Sequence, residues 1–371
     1  MTHRGGVAYT VAMMNGGQSR FADVSRIIGQ VRAIAGTTVV EAIQQPIAFL
    51  VQLTAVLTTL LVPVFEFHRF SEEGRLARDS GLSCMLMFGL VLAAGTAGRS
   101  VADEIARGTA AAAIGKPVSR VTFVLSKWLG VFGVVVVFWC GMLAATLIAE
   151  RGSAHFMVQE QFAGYATDPL TLVLALSGAV AALVVAAAQH YFWRRRFGLS
   201  AFLGVSVSQV LVVCLSGFYN RFGQFFPMHA EAACECGGEH AHGGTLLYHP
   251  ELNWRMVAAA LLVLLALAVF AALATALATR LQTAAALAVC ALVLFLGLAG
   301  DSFAANAPVF SLRSLVAGVL PDMQHFWLCD ALAHGGRIAW SYVAEAAVYA
   351  LTCCAIFLTA GCLAFQNRDL G

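Results

Sequence analysis

The stretch MVAAALLVLLALAVFAALATALAT, residues 256–279, decides the fold. It carries no charged side chain. As an α-helix it would rise about 36 Å, and the hydrocarbon core of a bilayer is about 30 Å thick. Working outward, further uncharged runs of similar length stand at Pro46–Phe65, Trp128–Ala149, Pro169–Phe192, Gly198–Asn220, Leu281–Gly300 and Ala346–Asn367, with a shorter one at Ser80–Gly98. A soluble protein can bury one or two such helices but not a succession of them.

Composition points the same way. Hydrophobic residues make up 60% of the 371 and charged residues 11%, with a mean hydropathy of +0.80. Soluble domains carry about a quarter charged residues, which they need to cover their outer faces. The sequence therefore predicts an all-α polytopic membrane protein with about eight transmembrane helices. An even number of spans puts both termini on one side. Lys and Arg mark the cytoplasmic side, and with both termini there the inner segments hold fourteen of the 22 basic residues. The short turn Trp193–Phe197, with Arg194, Arg195 and Arg196 between two spans, weighs most in that orientation.

Two regions result. Residues 1–45 read as a cytoplasmic leader without a secretory signal. Its second half, Val24–Gln45, has Ile27, Val31, Ile34, Thr38 and Ala42 at helical spacing, the pattern of an amphipathic helix lying in the membrane interface. A plain solvated leader is the alternative. Residues 46–371 form the transmembrane domain, with polar outer segments at 66–79, 150–168, 221–255 and 301–337 that are too short for separate domains.

Between the second and third spans, residues 103–120 read DEIARGTAAAAIGKPVSR. Asp103 and Arg107 stand at i, i+4 on a helix leaving the membrane. Gly108 can relax that helix, the alanines favour a second short one, and Pro117 breaks it. Ser119 can then cap the third span. A stiff hairpin follows, suited to mechanical contact with a partner.

This hairpin resembles the coupling region of type-2 ABC exporter permeases. That family places Glu-x-x-x-Gly-Thr, an apolar stretch and Pro-Val-Ser-Arg after its second span, and Glu104, Gly108, Thr109, Pro117, Val118, Ser119 and Arg120 match position by position. The helix before the first span resembles the family's connecting helix. The end of the chain resembles members with Leu-Pro-x-x-x-x-Phe before the last span and a Phe-x-x-Arg-Asp-Leu finish: Leu320, Pro321 and Phe326, then Phe365, Arg368, Asp369 and Leu370.

The resemblance implies a six-span permease core, here with two extra spans, working as a dimer with a second permease copy in the bacterial cytoplasmic (inner) membrane. It implies that Glu104, Arg107 and Arg120 make polar contacts with an ABC ATPase subunit while Ile105 and Ile114 pack. ATP would be bound and hydrolysed on that separate subunit. The expected function is coupling of ATP hydrolysis to substrate movement across the membrane, with no enzyme activity in the chain itself. Two alternatives stay open: a mechanotransmission or scaffold subunit acting on an outer partner through 221–255 and 301–337, and a metal-binding membrane sensor.

The chain lacks a phosphate-binding loop of its own. Gly108 and the Gly115–Lys116 pair are wrongly spaced, and Pro117 occupies the place of the required hydroxyl residue. No His-Glu-x-x-His is present. Partners are thus the ATPase, a second permease copy and lipid, with no nucleic acid expected.

The outer loop 221–255 gathers Cys234, Cys236, His240 and His242, with His229 and His249 nearby. Thiolate and imidazole suit zinc or copper(I), although the Cys-x-Cys and His-x-His spacings are tight for a structural zinc site. A Cys234–Cys236 disulfide and a mobile His-rich loop without ligand are the competing readings. Glu345 is the one ionisable suspect within the spans; it stands near the outer end of the last span, where the alternative reading is that it simply reaches the interface. Gln209 and His190 are further polar residues there, His190 beside the basic turn at the interface. The lack of a charged ladder argues against an ion-coupled carrier.

Overall fold

The structure, a computed structural model, describes residues 25–65, 74–106, 119–153, 156–157, 165–166, 168–219, 252–299, 320–329, 331–332 and 336–366. Its helices are α1 (residues 25–43), α2 (Pro46–Phe65), α3 (Arg75–Ala97), α4 (Arg120–Ser153), α5 (Pro169–Trp193), α6 (Phe197–Leu215), α7 (Met256–Ala278), α8 (Thr283–Leu298) and α9 (Trp340–Gln366). Seven of them, α2 to α7 and α9, are long and apolar enough to cross a membrane. The protein is an all-α multi-pass membrane protein. The eighth expected span, Leu281–Gly300, is a 16-residue helix, α8. It rises about 24 Å, short of a full hydrocarbon core.

Helix ends follow local chemistry. Asp168 caps α5 by accepting from the Thr171 amide at 3.1 Å, with Pro169 at the first helical position, where its missing N–H costs nothing. The α5–α6 turn is closed by Arg194, whose φ of 51° is the left-handed C-cap conformation. Between α4 and α5 a minimal antiparallel ribbon pairs Phe156 with Ala166 and Met157 with Tyr165.

Successive spans run antiparallel, so the bundle has two ends. One, the stem end, holds the end of α3, the start of α4, the α5–α6 turn and the end of α9. The other is the far end. Helix α7 is the hub: 78% of its apolar window is buried, against 22% for α5 and 28% for α9. It packs chiefly on α9, α3 and α4.

Close backbone approach depends on small residues, as expected where lipid is as apolar as the side chains and packing must drive association. A methyl group at Gly81 of α3 would stand 2.3 Å from the Thr146 side chain of α4, and one at Gly361 of α9 would stand 2.9 Å from Ala276 of α7. Helix α1 seats its second half on α4 in the same manner. Thr38, Ala42 and Ile43 are buried, and Thr38 lies over Gly130. In its first half Ile27 and Ile28 are about half exposed.

Candidate functional site at the hairpin stem

Helix α3 does not stop at the end of its apolar run. It passes through a π-helical stretch, Gly98–Ala102, into Asp103–Ala106. Such wide turns mark places where a helix is locally adjusted. Here Gly98 meets the start of α8, where an added methyl group would fall 2.3 Å from Thr283 Oγ1. The second strut of the stem begins at Ser119. Its hydroxyl accepts from the Thr122 amide at 3.0 Å, the capping bond expected from the sequence.

The two struts are tied together. Lys127 Nζ donates to Glu104 Oε1 at 2.6 Å, with the lysine side chain 4% exposed and the glutamate 27%. The ammonium also lies 5.5 Å from the centre of the Phe123 ring. Beneath it Val101, Ile105, Phe123, Val124, Ala278 and Phe365 form a small apolar core separate from the main one. The Phe123 and Phe365 rings stack at 5.7 Å.

Arg120 closes the arrangement from outside. Its Nη1 donates to the main-chain carbonyls of Phe365 (3.1 Å) and Gln366 (2.7 Å), and its guanidinium lies 5.8 Å from the Phe365 ring centre. These carbonyls belong to the last described turn of α9. Arg280, after α7, donates to the neighbouring Ala364 carbonyl at 2.5 Å. Hence two separated stretches read as motifs, one ending at Arg120 and one beginning at Phe365, meet in space.

Glu104, Ser119 and Arg120 are thus brought together at the stem, and each is engaged within the chain. Ile105, expected to pack on a partner, is instead buried in the small core. Arg107, Gly108, Thr109, Pro117 and Val118 lie outside the described residues, as do Ile114 and the metal candidates Cys234, Cys236, His240 and His242. Among the described residues no group of three or more His, Cys, Asp or Glu side chains is placed to hold a metal ion.

A second polar cluster, at the far end, escaped the sequence reading. Arg151 Nε donates to Asp168 Oδ2 at 2.7 Å, and its Nη1 donates to the Ser216 carbonyl at 2.8 Å. Thr171 Oγ1 donates to the same Asp168 oxygen at 2.6 Å and lies 2.8 Å from the Tyr219 hydroxyl. A hydroxyl has one proton, so Tyr219 is the donor in that last bond. Burial raises the Tyr219 phenol above its ordinary value, Thr171 opposing. Beside this group, Glu150 Oε1 accepts from Asn253 Nδ2 (2.8 Å) and Arg78 Nη1 (3.4 Å). The cluster pins α3, α4, α5, the end of α6 and the start of α7.

These groups correct the expectation about ionisable residues. Glu345 is exposed, whereas Arg78, Lys127, Glu150, Arg151 and Asp168 are buried. The reason is geometric. α3 and α4 run well past the uncharged segments used to count spans, so charges at the edges of those segments sit between packed helices. Gln209 is buried and donates to the Ala175 carbonyl at 3.2 Å; His190 is exposed beside the Arg195 carbonyl. The Leu320–Phe326 motif folds over the far end of α8, where Met323 meets Gly297 and Gln324 Nε2 donates to the Leu298 carbonyl at 2.9 Å.

The fold and its buried polar ties define a polytopic α-helical membrane protein. No family model, no curated protein and no solved structure matches the chain.

Proposed function

We propose that the chain is the membrane-spanning permease subunit of an ABC transporter of the bacterial cytoplasmic membrane, acting as a dimer and driven by a separate ATPase subunit. The reading rests first on the resemblance of residues 103–120 and of the chain's end to type-2 exporter permeases. The observation that carries it is the bond pair from Arg120 to the Phe365 and Gln366 carbonyls. A push on the hairpin tip would reach α9 through Arg120 and the stacked Phe123–Phe365 rings, and α3 through the Lys127–Glu104 pair.

In this reading the tip meets the ATPase while Glu104 and Arg120 brace the struts behind it. Such bracing suits force transmission, because a compact, hydrogen-bonded stem moves as a body. Termini, hairpin and the Arg194–Arg196 turn face the cytoplasm.

The test is purification from native membranes in mild detergent, with ATP hydrolysis measured in the eluate. An ATPase should co-elute with the parent chain and be lost with Gly108→Trp. With Arg120→Ala it should still co-elute, its hydrolysis no longer tied to substrate movement in reconstituted vesicles. A parent chain that elutes without any nucleotide-hydrolysing companion, or Lys116 labelled from outside intact cells, would overturn the proposal.

A further inference from the structure

The α5–α6 hairpin stands at the edge of the bundle, and its outer face holds an open groove of about 1180 Å³. The walls are apolar: Val185 and Val207 are each 53% exposed and Leu203 37%. The floor is small-sided, with Gly204 against Ala182 and Gly178 against Ser208. From the Arg194–Arg196 turn to Leu215 the groove follows α6 for about 28 Å, roughly the thickness of the hydrocarbon core.

Its mouth is cationic. Arg194, Arg195 and Arg196 all border the groove and are exposed, and no described carboxylate pairs with them. Beside them Gln44 borders the same mouth, and its side-chain oxygen is buried without a donor among the described residues. Tyr191, Phe192 and Trp193, each at least 69% exposed, lie just before the turn. Aromatic side chains of this kind settle at the headgroup level.

A long apolar channel ending in three guanidinium groups is complementary to one kind of molecule. We infer that the groove is a binding site for an anionic phospholipid. The phosphate meets Arg194–Arg196, and an acyl chain lies between Val185 and Leu203. Neutral lipid would gain the apolar contact and lose the phosphate's excess charge. The inference stands apart from the proposed ATPase coupling.

Native mass spectrometry of the whole purified chain tests it, with phosphatidylglycerol and phosphatidylcholine of identical acyl chains as probes. The unmodified protein should retain phosphatidylglycerol at least about 10-fold better. Arg194→Gln/Arg195→Gln/Arg196→Gln should lower that retention about 100-fold, since each basic group near an anionic surface contributes about fivefold. Removing charge elsewhere, with Arg26→Gln/Arg32→Gln, should leave it unchanged. Val185→Trp/Leu203→Trp should reduce retention of both lipids. Equal retention of the two lipids by the unmodified protein would overturn the proposal, whatever the variants do. So would displacement by soluble glycerol 3-phosphate at equal concentration, which would assign a free anion. Lipid-free dimers split by Val185→Trp/Leu203→Trp, with lipid retention unaltered, would assign the groove to a second copy of the chain and equally overturn it.

Discussion

Arg151 and Asp168 form an ion pair at 2.7 Å with side chains 2% and 0% exposed. Seventeen positions apart, they join the last turn of α4 to the cap of α5. The two remaining nitrogens of the guanidinium donate to the Ser216 and Tyr219 carbonyls. One side chain thereby gathers three elements at the far end of the bundle.

Breaking such a pair leaves a buried charge alone, which costs about 3–5 kcal/mol. Asp168→Asn or Arg151→Met should lower stability by that amount. Arg151→Met/Asp168→Asn should recover part of it, because no buried charge is then left alone and an amide oxygen can still cap α5. Thermal unfolding in detergent, followed by a cysteine-accessibility dye, measures all three. Variants that all melt at the parent's temperature would show that the pair is inert.

At the stem end, Lys127 and Glu104 should be energetically coupled. A double-mutant cycle of Lys127→Met and Glu104→Gln should give an interaction energy of about 0.5–3 kcal/mol. The glutamate's partial exposure favours the lower half of that range. Additive single effects would mean that the contact carries no energy.

Arg120→Ala should loosen the end of α9. Two carbonyls of its last described turn lose this donor, and among the described residues Arg280 and the stacked Phe365 ring are the other ties there. Amide hydrogen exchange across 358–366 should speed up, while exchange across the middle of α7 stays as in the parent. Unchanged exchange at the end of α9 would remove Arg120 as a tie.

Glycine substitutions should separate by neighbourhood. Gly81→Val drives a side chain into Thr146 and should cost about 1–3 kcal/mol or more as overpacking. Gly95→Ala, with nothing within 4 Å of the added methyl group, should be neutral or stabilise by up to about 1 kcal/mol through helix propensity. Melting temperatures of the two variants check the contrast.

Tyr219 supplies an alkaline dependence. Its phenol is held above the ordinary value in the folded protein, chiefly by burial. The unfolded chain therefore releases that proton first as pH rises. The group's contribution to stability is whole below about pH 10 and fades as pH climbs through the raised value. Tyr219→Phe should remove this slope and, by ending the bond to Thr171, cost about 0.5–1.5 kcal/mol at neutral pH. Identical stability–pH curves above pH 9 would contradict it.

The class of fold was readable from residues 256–279 and their counterparts, because a bilayer demands long uncharged helices and little else yields them. The Ser119 cap was equally legible, since its bonding partner lies three residues away. The neighbours of each span were not legible. α5 and α7 are both uncharged and strongly apolar, yet α5 lies at the rim and α7 is the hub. Lipid and protein interior make the same demand on a side chain, so hydropathy cannot tell them apart. The polar ties show the same division. Lys127, Glu150 and Arg151 flank the uncharged run Trp128–Ala149 in the sequence, and only the overlap of helices longer than their apolar runs puts them beside partners 17 to 103 positions away. Span composition answers to the solvent. Which span faces which, and whether a charge at its end is paired or bare, answers to packing among distant residues, and the tertiary structure alone decides that.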